Sequence, residues 1–319
     1  MYLDLIEGKD APEPFSTRFM LIFLGQILPG SAVENILTVN IICLYILTLS
    51  LFRLARKYTS SPISAALSVV FIFGSFSFSY NFTNPYLTDL PGLAFLTLFI
   101  ISVQNRNFYN AIIFMAISLF FRETGIVLLP LFLMAFRKKL AITGIFISIL
   151  AYVGPKIYIA GGIYSPVMQT NLGLTYVVKV ILSLGWIWAI AGLSLFLNRN
   201  KLTKFEITLL LFSFIGSFYS SLTAADTTRM FLLMIPVCTV LIAFLLKDPT
   251  KNLWFWTIIC LLFLANTMLM LPTTIFDGSG YSSIESFVIS NVKVIAVVNT
   301  LIFITLITNR RYLLKILNE

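Results

Sequence analysis

The chain has 319 residues, 59% hydrophobic and only 11% charged, with a mean hydropathy of +0.95. Soluble domains carry roughly 25% charged residues, so an ordinary soluble enzyme is excluded and a membrane protein is indicated. The net charge of +9 is no argument for nucleic acid, because the basic residues fall in short connectors between apolar runs. There is no histidine, which removes His-ligated metal sites and histidine acid–base catalysis.

Residues 1–18 are polar and carry Asp4, Glu7, Asp10 and Glu13, with no basic region followed by an apolar run as in a signal peptide. The acids recur every three residues, a spacing that marks no single helix face and reads as a solvated acidic tail. Residues 19–28 (FMLIFLGQIL) are apolar but too short to span; they predict an interfacial helix begun by Arg18 and stopped by Pro29-Gly30. Longer apolar runs follow at about 34–52, 63–79, 90–103, 108–121, 125–136, 140–159, 175–197, 206–222, 228–246, 253–271 and 287–307. The runs are continuous, not alternating, so a β-barrel is excluded. The expected fold is all-α: one transmembrane helical bundle of about 11 membrane segments, with residues 1–33 as an outer-face segment and 34–319 as the bundle. Cys43, Cys238 and Cys260 sit inside apolar runs and read as small hydrophobes.

Connector charge sets the orientation. If the connector after the first span is cytoplasmic, that face collects 15 of the 22 basic residues, from Arg53, Arg56 and Lys57 through Arg106, Arg137–Lys139 and Arg199–Lys204 to Lys315. The C-terminus is then cytoplasmic and most acids fall outside. The stretch 108–136 obeys this only as a hairpin of two short helices turning at Arg122-Glu123-Thr124-Gly125. Each arm of 12–14 residues reaches about 18–21 Å, against roughly 30 Å of hydrocarbon. The turn is therefore expected below the membrane surface. An arginine there costs roughly 2.5–3.5 kcal/mol, so Arg122 and Glu123 are expected to face a cavity.

Three places concentrate chemistry. Between two spans, the stretch Tyr80–Gly92 (YNFTNPYLTDLPG) contains one carboxylate, Asp89, which is either a helix N-cap or a cavity-facing general base or metal ligand. Pro91-Gly92 can open the next helix. At 226–229, Asp226 and Arg229 lie i,i+3 at the start of a span. They form a cap and ion pair or, with Thr228 and the helix N-terminus, an anion pocket for phosphate. The uncharged stretch 161–174 and the glycine-bearing 272–286 are candidate covers; neither fits a phosphate-cradling glycine motif.

On the strings APEPFSTRFMLIFLGQILP, YLTDLPG, FRETGIVLLP and ADTTRMFLLMIP, the chain resembles the GT-C superfamily of integral-membrane glycosyltransferases. The resemblance implies transfer of a sugar from a polyprenyl-phosphate donor at the outer face. Asp89 would take the second acidic motif, Asp4 or Asp10 the first, and Arg18, Arg122, Glu123, Asp226, Thr228 and Arg229 would bind substrate. A divalent cation is neither required nor excluded. That family also has a span ahead of its first outer loop, whereas this chain starts in the loop. The expectation is either a short translocated tail or an upstream span that carries the principal carboxylate. Competing readings are a transporter or flippase of lipid-linked saccharides and a surface-polysaccharide polymerase or ligase.

Overall fold

In a computed structural model, the structure describes residues 19–59, 61–75, 77–78, 88–160, 176, 180–181, 183–223 and 230–246, and single helical positions at 261, 297, 300–301 and 304. Among the described residues every regular element is helical, as the continuous apolar runs require. The α-helices are α1 (Phe19–Ile27), α2 (Ala32–Arg56), α3 (Pro62–Phe73), α4 (Asp89–Gln104), α5 (Phe108–Phe121), α6 (Leu131–Ala135), α7 (Lys138–Ala160), α8 (Trp186–Asn198), α9 (Lys204–Thr223) and α10 (Ile235–Leu245). Short 3-10 turns at Glu123–Leu128 and Phe231–Met234 lead into α6 and α10.

Local chemistry sets where these helices begin. Ser31 and Glu34 form a reciprocal capping box at the start of α2, with the Ser31 N–H donating to Glu34 Oε2 at 2.9 Å. Ser61 caps α3 with Pro62 in its first turn, and Asn107 caps α5 through the Asn110 N–H. Asn35, buried on α2, donates to the carbonyls of Gly25, Leu28 and Gly30. That one amide satisfies the chain end of α1 and fixes the short helix against α2.

Helix α4 ends differently. The Arg106 N–H reaches Val103 O at 3.0 Å and the Asn107 N–H reaches Ser102 O at 2.9 Å, a Schellman termination with Arg106 at φ 55°. Glycine is the usual residue there; for an L side chain the left-handed conformation costs about 1–2 kcal/mol.

Helix α4 is central, packed most extensively on α5 and α2. Phe95 stacks on Phe121, Phe99 meets Phe132, and Phe108 meets Phe136 with ring centres 5.3 Å apart. The last contact joins the start of α5 to the residue after α6, so residues 108–136 double back with Arg122–Gly125 at the far end. The hairpin argued from charge is the observed geometry. A single continuous helix would place its ends about 42 Å apart.

Polar side chains lie inside, among them Asn35, Asn40, Ser64 and Ser68, while Ile41, Tyr45 and Leu49 are half or more exposed along one face of α2. Phe214 and Phe218 are likewise exposed on α9. Among the described residues two helices, Ala32–Arg56 and Lys204–Leu222, are long and apolar enough to cross a membrane. Pro62–Phe73, Asp89–Gln104, Phe108–Phe121, Glu123–Ala135 and Phe231–Leu245 are apolar helices of 10–17 residues.

Candidate functional site

The hairpin turn and the start of α4 meet at one end of the bundle. Thr88 precedes α4 and makes no side-chain cap hydrogen bond to it, and Asp89 is the first residue of the helix. Asp89 is thus a first-turn acid and not the N-cap, leaving its carboxylate available to another element. Arg122 follows α5 in an extended conformation (φ −155°, ψ 129°), which swings its side chain off the helix; its N–H still closes on Ser118 O at 2.8 Å.

The two side chains form an ion pair between Arg122 Nη1 and Asp89 Oδ1, and they are only 6% and 2% exposed. Arg122 Nη2 also donates to the sulfur of Met230 at 3.1 Å, a soft and weak acceptor from a third segment. Burying two charges is unfavourable unless they pair closely, so neither side chain is explained without the other.

Gly92 makes the approach possible. A Cβ there would come within 3.0 Å of Arg122 Cβ, and Ser118 Oγ donates to Gly92 O at 2.8 Å, locking α5 to the first turn of α4. Asp89, Gly92, Ser118, Arg122, Thr124 and Met230 border a cavity of about 20 Å³, room for a water or two and no more.

Of the residues singled out from sequence, Asp89 and Arg122 are brought into contact. Glu123 is half-buried at the head of the 3-10 turn and is not among the residues lining the cavity. Asp4, Asp10, Arg18, Asp226, Thr228 and Arg229 lie outside the described residues, as do both candidate cover segments. Sequence reasoning missed Met230, which reads as an ordinary apolar residue, and Ser118, whose spacing from Gly92 carries no local signal. Among the described residues no three Cys, Asp or Glu side chains come together as a metal site.

A second polar centre lies at the other end. The Tyr58 hydroxyl donates to Glu206 Oε1 at 2.7 Å and accepts from Gln104 Nε2 at 2.5 Å, tying the connector after α2 to the end of α4 and the start of α9. Burial and the Glu206 carboxylate push the Tyr58 hydroxyl far above its ordinary pKa. Lys57 Nζ donates to Asn105 Oδ1 at 2.6 Å. Lys57 and Arg106, from two of the basic connectors, share a cavity with Met134 and Ala135 at the end of α6.

No protein family, curated protein or solved structure matches the chain.

Proposed function

We propose that the protein is a multi-spanning membrane glycosyltransferase that moves a sugar from a polyprenyl-phosphate donor to an acceptor at the end of the bundle holding Asp89 and Arg122. The observation that carries the reading is this pair. A carboxylate and a guanidinium from separate helices are buried together at the end opposite the basic connectors, where positive-inside placement puts the outer face. All the apolar helices are taken as membrane segments, the shorter ones packed within the bundle.

The chemistry divides between the two side chains. The acceptor hydroxyl oxygen attacks the anomeric carbon as the bond from that carbon to the phosphate oxygen breaks, and the electron pair leaves with the phosphate. Arg122 stabilises the charge gathering there, with bidentate geometry suited to phosphate. Asp89 takes the acceptor proton. Helix α4 begins at this site with Asp89, and Leu232 and Leu233 of the run Phe231–Leu245 border the same cavity. The positive end of α4 favours an anion there.

The cavity of about 20 Å³ is far below the roughly 300–1,000 Å³ of ligand sites, so the pair describes a closed state. Phosphate competes with Asp89 for Arg122; its arrival opens the pair and turns the carboxylate toward the acceptor. One binding event thus readies both groups.

The transporter reading calls for inverted or broken-helix symmetry. The two segments that start as 3-10 turns, Glu123–Ala135 and Phe231–Leu245, both run from this site toward the basic end. They are parallel rather than inverted, which favours the enzyme. The test is sugar transfer from lipid-phosphate sugars by the purified protein in vesicles. Wild-type transfer that disappears in Asp89→Asn supports the reading; an unchanged rate in Asp89→Asn removes the assigned base, and lipid translocation without covalent product supports the transporter.

A further inference from the structure

The cavity at the basic end measures about 330 Å³, far larger than the one beside Asp89, and within the range of small-ligand sites. Lys57 and Arg106 stand on it from two different connectors, and Val103, Met134 and Phe205 supply an apolar wall. Among the described residues no carboxylate comes within ion-pair distance of Lys57 or Arg106. The one acid on the cavity, Glu206, is already engaged: Oε1 accepts from Tyr58, and Oε2 accepts from the Thr203 N–H at 2.8 Å and from the Thr203 hydroxyl. Partial burial lowers the pKa of the Lys57 ammonium, and the neighbouring Arg53 adds to the shift, while the lining sets two cations, Lys57 and Arg106, against the single carboxylate of Glu206. Arg106 holds its place in a left-handed backbone conformation where glycine is favoured. A side chain kept at a conformational cost, at the mouth of a cavity with surplus positive charge, suits an anion.

We propose that this cavity binds a phosphate ester, with Lys57 and Arg106 on the phosphate and the Val103–Met134–Phe205 wall against the first carbons of an attached chain. In a bilayer the nearest source is the headgroup of an anionic phospholipid, which basic pockets between membrane helices take up. A soluble phosphate ester has the same chemistry. The site rests on the bundle lying in a membrane and not on the transfer reaction, since it is at the opposite end from Asp89.

The experiment is thermal unfolding of the full-length protein in detergent, titrated separately with phosphatidylglycerol, phosphatidylcholine and glycerol 3-phosphate. The variants are Lys57→Gln, Arg106→Gly and the two combined. Phosphatidylglycerol is expected to raise the wild-type midpoint, phosphatidylcholine not, and the double variant to need at least tenfold more phosphatidylglycerol. Arg106→Gly without ligand is expected to unfold at a higher temperature than wild type, so its lost response cannot come from misfolding. A wild-type response to glycerol 3-phosphate equal to that to phosphatidylglycerol assigns the site to soluble esters. A double variant that responds like wild type overturns the proposal, as does a wild type that answers all three compounds alike or none.

Discussion

At one end of the bundle, Asp89 and Arg122 are 2% and 6% exposed and hold each other across a cavity with room for a water or two. At the other, Lys57 and Arg106 stand at a cavity of about 330 Å³ whose one acid is occupied by Tyr58 and Thr203. The contrast shows two ways for an apolar protein to keep charge. Buried charge must be matched one to one, because desolvation penalises any unpaired member. Charge at an open cavity needs no one-to-one partner, because water or a headgroup solvates it. The first arrangement is tight and holds until a competing ion arrives; the second is open and selective only by sign.

Variants at each end sharpen the contrast, starting with the largest effect. Arg122→Met leaves the Asp89 carboxylate buried without its guanidinium and is expected to cost about 3–5 kcal/mol in denaturant unfolding. Adding Asp89→Leu should recover a large part of this, since a pair replaced by apolar groups of similar size is often neutral. A double variant as unstable as the single one would show that the pair is not the unit.

Next, Gly216→Leu introduces a Cβ that would sit 2.4 Å from Val127 Cγ2, where α9 crosses the hairpin. Overpacking of this kind costs about 1–3 kcal/mol and should displace the turn bearing Arg122, lowering transfer without touching the basic end. Binding of phosphatidylglycerol by this variant at wild-type strength would confirm that the two ends act separately.

At the basic end, Tyr58→Phe removes the hydroxyl between Gln104 and Glu206, and a loss of about 1–3 kcal/mol follows from the polar groups left behind. The same hydroxyl sets an alkaline limit. Its pKa is higher in the folded protein than in the unfolded chain. The stabilisation is therefore complete below pH about 10, where an unperturbed tyrosine titrates, and is lost as pH rises above that. Tyr58→Phe should flatten this limb, seen as unfolding midpoints followed from pH 8 to 11. The smallest effect is Arg106→Gly, expected to stabilise the unliganded protein by about 1 kcal/mol through relief of the left-handed backbone.

The hairpin was legible because charge is a strong signal in an apolar chain. With Arg106 and Arg137–Lys139 held to one face, the 29 residues between them had to turn, and Arg122–Gly125 was the polar place to do it. The short helix α1 was equally plain, since the apolar run 19–28 is stopped by Pro29-Gly30. What sequence did not reveal is which side chains from distant stretches pair directly. Asp89 and Arg122 were expected to serve separate roles as base and phosphate clamp, and nothing local announces that the arginine holds the acid. The Tyr58–Glu206–Gln104 network was missed for the same reason: its members are far apart in the chain and each looks like an ordinary connector residue. The left-handed Arg106 was hidden because glycine, the usual marker of that conformation, is absent from the stretch Gln104–Asn107.

The most direct test of the central claim is a side-by-side rate of sugar transfer from a polyprenyl-phosphate sugar by wild-type protein and by Asp89→Asn, both in vesicles and both checked for phosphatidylglycerol binding at the far end. The account predicts transfer by wild type, its loss in the variant, and equal lipid binding by the two. Equal transfer rates, with lipid binding intact, would contradict it.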